Sequence, residues 1–383
     1  MTDLIYFHHP QMEGTAELRR GLSQLRRSLH FDRCWAGTER QGPPSPKQIL
    51  QQSAARQFLV ILNPALIISD QMQQYLERSI PPGGCILPSD QRGFAPGVVL
   101  DYVNRSGLED FVKRLQGQSE TVPHDGRPAW IYLIERAAIE AMAEDQAGAQ
   151  WSDLPDLLGG RSLICQHAYV HSYSDYYQGR REEMLAYLPK DVHHLLDVGG
   201  GQGGFAAAFM QQRQGKASLV EMNEDASGIA RQKGIDVIHQ PFASLQPGVD
   251  YDCISFLDVL EHMPDPDQVL GKAHGLLRPG GYLLLSVPNI GHWSVVLDLL
   301  HGRFEYLPVG ILCETHIRFF TRIELTALLD ETGFSIEIWH NQHSPFSDTF
   351  QAYFNACKTS GLQLDEENLQ ALVFHILCKK AIV

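Results

Sequence analysis

The chain has 383 residues, of which 44% are hydrophobic and 20% charged, and its formal net charge is −14. This composition can fill the cores of two domains and excludes extensive disorder, while the acidic balance argues against a broad surface for nucleic acid or anionic lipid. No apolar run reaches the roughly 20 residues of a membrane span and no signal-peptide pattern opens the chain, so we expect a cytoplasmic protein.

The first third of the chain alternates short apolar runs with periodic polar segments, which predicts strands alternating with helices. The predicted strands are "LIYF" (4–7), "QFLVILNP" (57–64), "GVVLDYV" (97–103) and "AWIYLIER" (129–136). The predicted helices are "ELRRGLSQLRRSLHF" (17–31), with leucines on one face, and "SDQMQQYLERSI" (69–80), capped by Ser69 or Asp70. We therefore expect an α/β domain over residues 1–142.

Residues 143–161 are rich in Ala, Gly, Asp and Gln, and they are predicted to be a linker. Segments 56–76 and 130–142 faintly resemble a nucleotide-sugar glycosyltransferase domain. In that family the first segment carries acidic metal ligands, whereas this chain has Asn63-Pro64-Ala65. Because carboxylates are needed to hold a divalent ion with a diphosphate, glycosyl transfer is not predicted. A degenerate, structural or acceptor-binding role is expected instead.

The remaining residues, 162–383, predict a doubly wound, mostly parallel, seven-stranded sheet. The predicted strands are "HLLDV" (194–198), "ASLVE" (217–221), "DVIH" (236–239), "YDCISFLD" (251–258), "YLLLSV" (282–287), "FSIEIWH" (334–340) and "LVFHILCKK" (372–380). Helices are predicted at 176–191, 205–212, 265–277 and 321–333, the last with a capping box of Thr321 and Glu324. The seven cysteines are scattered without a C-x-x-C pair, so no metal site is expected.

The most informative stretch is "HHLLDVGGGQGGF" (193–205), in which an apolar strand leads into a glycine-rich turn and a helix. Bare backbone N–H groups can approach a ligand closely in such a turn. Gly199, Gly201 and Gly204 satisfy the G-x-G-x-x-G pattern, and Glu221 ends the next strand, where a carboxylate accepts hydrogen bonds from ribose hydroxyls. These features predict a nucleoside-containing ligand.

Asp197, the acid just before the turn, helps to distinguish between two such ligands. A dinucleotide brings its pyrophosphate to this turn, where a carboxylate would repel it. The amino-acid tail of S-adenosylmethionine carries an ammonium group, which a carboxylate favours. Asp197 therefore favours S-adenosylmethionine over NAD as the cofactor.

Five segments, in order over about 160–383, resemble the class I S-adenosylmethionine-dependent methyltransferases. They are "LLDVGGGQG", "LVEMNED", "FLDVLEHMPDPDQVL", "LLRPGGYLLLSVPN" and "HIRFFTRIELTALLDETGF". Within that class, "VPNIGHWSVVLDLLHGRFEY" with "GILCETHIRFFT" is similar to the MetW-like and methyltransferase type 11/23 group. The resemblance implies a Rossmann-like fold and S-adenosylmethionine as cofactor.

The resemblance also implies roles for individual residues, which follow the matched segments in order. Gly199, Gly201 and Gly203 would line the methionine and ribose side, with Asp197 behind them. Glu221 would hold the ribose, and Met222 would pack on adenine. Leu257 and Asp258 would border the sulfonium and the acceptor. The family usually has an acid near the adenine amine after the third strand. Here Gln240 stands near that place, and its amide oxygen can accept the same hydrogen bond.

Methyl transfer requires alignment of the nucleophile with the sulfonium and in some cases removal of a proton, for which histidine is suited. Candidate catalytic residues are His262, His292 and His316. Segment 289–320 follows the fifth strand, at the edge of the sheet where doubly wound folds bind ligands. It is expected to cover and select the acceptor.

The sequence thus predicts a methyltransferase that acts on an oxygen of a small or saccharide acceptor. Two alternatives remain open at this point. One is a non-catalytic, MetW-like partner of another enzyme, and the other is an NAD-dependent oxidoreductase that uses the same glycine pattern.

Overall fold

The fold is that of a computed structural model, which divides into two compact units, Met1–Ser174 and Asp175–Val383. The structure describes residues 1–7, 25, 29–37, 43–63, 66–69, 71–90, 108, 111–112, 121–142, 146, 148–172, 180–246, 250–307 and 310–381. None of the helices within these ranges has the length and apolar character needed to cross a membrane.

The first unit is built on a mixed sheet whose strands are ordered β2-β1-β3-β7-β5-β8-β4, with β6 paired to β8. The strands are β1 (Thr2–Phe7), β2 (Cys34–Gly37), β3 (Gln57–Ile61), β4 (Leu66–Ile68), β5 (Cys85–Asp90), β6 (Thr121–Pro123), β7 (Ile131–Glu135) and β8 (Ser162–Ser172). The helices are α1 (Pro46–Gln52), α2 (Met72–Ser79), α3 (Arg136–Glu140) and α4 (Leu154–Leu157). The unit contains both helices and a mixed sheet, so it is an α/β unit, as predicted.

The first unit extends past the predicted linker. Trp151 is buried, its ring packs against Phe58 at 6.0 Å, and its indole N–H donates to the Pro44 carbonyl at 2.9 Å. Strand β8 then pairs with β5 inside the first sheet. Residues 151–172 therefore belong to the first unit, and the boundary follows Ser174 instead of lying within 143–161. The polar composition of 143–161 indicates a linker because one large apolar residue, Trp151, hardly changes the average composition of the segment.

Two further expectations for the first unit differ from the structure or lie outside it. The N-cap of helix α2 is Gln71 and not the predicted Ser69, whose hydroxyl donates to the Tyr169 carbonyl, while Asp70, the other predicted cap, lies outside the described residues. The predicted strand 97–103 lies outside the described residues, as does nearly all of the predicted helix 17–31.

The second unit contains the seven-stranded sheet that the sequence predicts, in the order β11-β10-β9-β12-β13-β15-β14. Its strands are β9 (His194–Val198), β10 (Lys216–Val220), β11 (Asp236–Ile238), β12 (Tyr251–Leu257), β13 (Leu277–Pro288), β14 (Phe334–His343) and β15 (Ala371–Lys380). Its helices are α5 (Gly204–Arg213), α6 (Glu224–Gln232), α7 (Pro266–Leu276), α8 (Trp293–Leu300), α9 (Arg322–Glu331), α10 (Asp348–Thr359) and α11 (Glu366–Gln370). Strand β15 runs antiparallel to both of its neighbours, and the other pairs are parallel.

The core of the second unit lies on both faces of this sheet, because its central strands are apolar at nearly every position. Leu196 and Ile254 face one buried cluster, and Leu195 and Cys253 face the other. Because β9, β10 and β12 are parallel, their carboxyl ends meet at one edge. That edge is where a doubly wound sheet binds ligands.

Local signals in the second unit have mixed outcomes. Asp265 caps α7 as predicted, since its carboxylate accepts from the Gln268 N–H at 3.1 Å. Thr321 is the N-cap of α9, but its side chain makes no capping hydrogen bond, so the predicted box with Glu324 does not form. The expected helix over 176–191 is a short 3₁₀ turn, Glu182–Tyr187, within the described part of that segment.

Candidate functional site

A cavity of about 1120 Å³ lies in the second unit at the carboxyl ends of β9, β10 and β12. Eight of the predicted site residues line it: Asp197, Gly199, Gly201, Glu221, Met222, Leu257, Asp258 and His262. We call the lining from Asp197 to Gly201 together with Glu221 the glycine wall. We call Arg181, Asp258, His262 and Thr315 the histidine wall.

The glycine wall depends on backbone conformations and close approaches that other residues do not allow. Gly199 and Gly201 have φ of 68° and 57°, in the left-handed region that favours glycine. A Cβ on Gly200 would lie 2.1 Å from Asp197 Oδ2 and 2.8 Å from Leu219 Cδ1. The turn therefore wraps directly around the carboxyl group of Asp197, and Gly200 is needed for that contact.

Gly203 has a different role from the one expected. It is the N-cap of α5 with φ of 72°, and a Cβ on it would lie 2.4 Å from Ile235 Cδ1. The residue is absent from the cavity lining. Gly203 thus allows the start of α5 to pack closely on Ile235, and it does not contact the cavity itself.

Asp197 is buried beneath the turn, with 1% of its surface exposed. Its Oδ1 accepts a hydrogen bond from the Ser255 hydroxyl at 2.7 Å, and Oδ2 has no hydrogen-bond partner among the described residues. Burial raises the pKa of Asp197 to about 7, against the hydrogen bond from Ser255 and with a further increase from the charge of Glu221. An unpaired carboxyl oxygen under a bare backbone turn fits a ligand that brings a positive charge.

Glu221 stands at the end of β10 and ties the glycine wall together. Its Oε2 accepts from the Gly201 N–H at 2.9 Å, and its Oε1 accepts from the Asn223 N–H at 2.7 Å. A carboxylate has further lone pairs, so it can also accept from ligand hydroxyls. Met222, next in the chain, is 55% exposed at the rim of the cavity.

Gln240 does not take the place that the sequence indicated. It is exposed and absent from the lining, whereas Pro241, Phe242 and Ala243 are part of it. The Phe242 ring is fixed edge-to-face on Phe256, with centroids 5.3 Å apart. The sequence signal for this part of the lining is therefore the apolar Phe242 after the short strand β11, and not its polar neighbour Gln240.

The histidine wall contains an ion pair between Asp258 and Arg181. Both residues have positive φ, 56° and 45°, which is uncommon for residues with a side chain. The other carboxylate oxygen of Asp258 accepts from the Ser286 hydroxyl at 2.6 Å. Arg181 was not predicted, because no sequence pattern links it to a strand end about 80 positions away.

The three candidate histidines have three different environments. His262 lines the cavity, and burial lowers the pKa of its imidazole against a hydrogen bond to the Thr315 carbonyl. His316 is buried outside the lining, with its ring centroid 4.7 Å from that of His262. His292 is fully buried and caps α8 through the Ser294 N–H at 3.3 Å, and burial lowers its pKa to about 3. Only His262 reaches the cavity.

Segment 289–320 is anchored at its two ends by a parallel bridge between Asn289 and Phe320. The Asn289 amide donates to the carbonyls of Asn368 and Ala371, each at 2.8 Å. Between these ends, Cys313 and Thr315 contribute to the lining of the cavity. The segment is therefore part of the cavity wall.

Residues 169–337 match a family model described as a methyltransferase domain. The chain is 27% identical over 167 residues to a ubiquinone biosynthesis O-methyltransferase of Aeromonas salmonicida, covering 41% of this chain and 69% of that protein. It is 35% identical over 156 residues to the protein of that name from Pseudomonas paraeruginosa, which covers 37% of this chain and 65% of that protein. A solved Thermotoga maritima methyltransferase, described as a possible histamine N-methyltransferase, shares 19% identity with a TM-score of 0.39 over 54% of this chain and 89% of that one.

The chain therefore contains a class I S-adenosylmethionine-dependent methyltransferase domain. S-adenosylmethionine is its cofactor, which confirms the preference for this ligand over NAD. The glycine turn, the unpaired oxygen of Asp197 and the carboxylate of Glu221 fit the ammonium and ribose groups of that molecule.

Proposed function

We propose that this protein transfers a methyl group to an oxygen of a small or sugar-derived acceptor. The observation that carries the proposal is one cavity of about 1120 Å³ shared by the glycine wall and the histidine wall. Ligand sites for drug-sized molecules have volumes of roughly 300–1,000 Å³, so this cavity has room for the cofactor and a second small molecule. The O-methyltransferase names of the two relatives support oxygen as the methylated atom.

On the glycine wall, the backbone around Gly199 and Gly201 would contact the methionine part of the cofactor, with the charge of Asp197 behind it. Glu221 would hold the ribose, while Met222 and Phe242 would enclose the adenine. The cofactor supplies a methyl group activated by its sulfonium. These residues bind and orient it, which is the main requirement of an in-line displacement.

On the histidine wall, His262 would face the acceptor. Burial lowers the pKa of its imidazole, so the ring is neutral at pH 7 and can accept a proton from a hydroxyl. Leu257 and Asp258 would border the reacting groups, and segment 289–320 would select the acceptor through Thr315.

The test combines cofactor binding with transfer of a labelled methyl group. We expect purified protein to bind S-adenosylmethionine and S-adenosylhomocysteine but not NAD in a calorimetric titration. We then expect transfer of label to phenolic or saccharide hydroxyls in a panel that includes matched amines. Transfer to amines alone would contradict the choice of oxygen, and binding without transfer to any acceptor would favour the non-catalytic partner.

A further inference from the structure

Three side chains that can bind a metal meet beside the cavity. One ligand atom from each of Glu261, His262 and His316 lies within 4.8 Å of the others. Glu261 and His262 belong to the 3₁₀ turn that follows β12, and His316 comes from segment 289–320. The cluster therefore joins two parts of the second unit that are distant in sequence.

The buried members of this cluster leave polar atoms without partners. Glu261 is 1% exposed and His316 is 5% exposed. Among the described residues, neither carboxyl oxygen of Glu261 has a hydrogen-bond partner, and neither has Nε2 of His316. Nε2 of His316 lies 3.8 Å from Oε1 of Glu261, too far for a hydrogen bond. Unpaired polar groups are rare in protein interiors, so this pair of residues calls for a ligand between them.

The backbone orients both histidines in the same way. Nδ1 of His316 lies 2.8 Å from the Ile311 carbonyl, and Nδ1 of His262 lies 3.0 Å from the Thr315 carbonyl. A carbonyl only accepts, so each Nδ1 carries the proton and each Nε2 keeps a lone pair. Histidines that bind metals are usually fixed by this kind of second hydrogen bond.

We propose that Glu261, His262 and His316 bind a divalent transition-metal ion of the zinc type. Two imidazole nitrogens and one carboxylate are a known ligand set for such ions. Ligands of one tetrahedral zinc ion lie about 3.4 Å apart, so the 3.8 Å separation of Glu261 and His316 needs a small contraction, and the whole set, which lies within 4.8 Å, must contract by up to about 1.4 Å. Because His262 lines the cavity, the ion has a path of entry and an open position on the cavity side.

The consequence for catalysis rests on the proposed function. An acceptor hydroxyl in the open position would have a lowered pKa and would lose its proton to solvent. Its oxygen would then form the bond to the methyl carbon as the carbon–sulfur bond breaks and the electron pair stays on sulfur. With the ion bound, the Nε2 lone pair of His262 is used in coordination, so the ion replaces the free imidazole in promoting loss of the proton.

The experiment measures metal binding on the full chain without any affinity tag. The protein is freed of metal with a chelator and titrated with Zn²⁺ by competition with a chromophoric chelator, and with Co²⁺ by absorption spectroscopy. We expect one specific ion per chain and a Co²⁺ spectrum with imidazole ligands. Glu261→Gln should lower the affinity by at least about tenfold, because it removes the charged ligand at constant shape.

The matched control is Glu224→Gln, which alters a surface carboxylate 3.2 Å from Nε2 of His239 and should leave the affinity unchanged. If Glu261→Gln fails to fold, the metal affinity of His262→Asn, a substitution at the cavity surface, is measured in its place. No specific ion in the wild type, or wild-type affinity in the folded ligand variant, overturns the proposal. Methyl transfer is assayed separately with and without the chelator, so loss of metal binding and absence of methyl transfer are distinguished.

Discussion

In the glycine wall, Asp197, Gly201 and Glu221 come from one strand–turn–helix–strand passage, β9 to β10, in which the Gly201 N–H donates to Glu221, while the Asp197 carboxyl accepts from Ser255 of β12. The histidine wall takes Arg181, Asp258 and Thr315 from three separate segments. The local bond fixes Gly201 and Glu221 as soon as the passage folds, and the bond to Asp197 forms when β12 pairs with β9. The second exists only after the whole unit has packed.

The glycine wall and the Glu261–His316 pair beside the histidine wall nevertheless share one electrostatic feature. Burial raises the pKa of Asp197 to about 7 and that of Glu261 to about 8, and it lowers the pKa of His316 to about 4. For each of these groups the effect of burial, which favours the uncharged form, outweighs the effects that favour the charged form, including the charge of Arg181 near Glu261. Such groups are stabilised when a ligand supplies the missing charge or coordination, so the glycine wall and the Glu261–His316 pair are each suited to bind one.

The largest effect is expected from Gly200→Ala on the glycine wall. The new Cβ would lie 2.1 Å from Asp197 Oδ2, so the turn must open. We expect loss of measurable S-adenosylmethionine binding and a decrease of about 1–3 kcal/mol in the free energy of unfolding. Calorimetry and denaturant unfolding measure the two effects.

The control for that variant is Gly271→Ala in α7, where a Cβ meets nothing within 4 Å. It should stabilise the fold by about 0.5–1 kcal/mol, because alanine favours a helix over glycine. Wild-type cofactor affinity in Gly200→Ala would show that the turn does not wrap the Asp197 carboxyl group as described.

The difference between the walls explains what the sequence could predict. All seven strands of the second unit and the glycine turn follow from local apolar periodicity and glycine spacing. Arg181 had no local signal. His262 and His292 each stand beside apolar residues in the sequence, and only packing places the first in the cavity and the second at a helix cap. Side-chain direction depends on tertiary contacts that no short pattern contains.

Errors at single positions have the same cause. Gln240 matched a polar position of the family pattern, but the chain turns so that Phe242 faces the cavity. Trp151 lay in a polar stretch and still anchors that stretch in the first unit. One buried aromatic residue outweighs the average composition of its neighbours, because it removes a large apolar surface from water.

The next effect in size is expected from Asp197→Asn. An acid whose pKa is raised on folding destabilises the fold as pH rises from its unfolded value near 4 to its folded value of about 7. The cofactor-free variant should therefore be more stable than the wild type at pH 8, and the difference should shrink as pH falls to 5. Thermal unfolding at several pH values measures it.

The same substitution should lower the affinity for S-adenosylmethionine at least about tenfold, or about 1.4 kcal/mol, because the negative charge is removed. Asp236→Asn is the matched control, since the exposed Asp236 accepts from the Ser218 hydroxyl at 3.3 Å away from the cavity lining. A stability difference that does not change with pH would show that Asp197 is ionised in the free protein.

Arg181→Gln tests whether the histidine wall acts separately from the glycine wall. Within the described part of the chain, it leaves Asp258 with the Ser286 hydroxyl as its one side-chain partner. We expect the KM for the acceptor to rise about tenfold while the Kd for S-adenosylhomocysteine changes less than about threefold. Arg180→Gln is the control, because Arg180 pairs with Glu182 at the surface. Equal losses for cofactor and acceptor would mean that the two walls form a single site.

The smallest effect is expected from His292→Asn, which separates a buried capping histidine from the one in the cavity. Asparagine can also cap α8 by accepting from the Ser294 N–H, so the loss of stability should stay near 1 kcal/mol. Because burial lowers the pKa of His292 to about 3, the ring is neutral from pH 5 to 9 and cannot shape the pH–rate profile. We expect kcat and its pH dependence to match the wild type, whereas His262→Asn should lower kcat by about 10²-fold. A changed acidic limb of the pH–rate profile in His292→Asn would show that this histidine takes part in the reaction. The histidine wall would then have to include it.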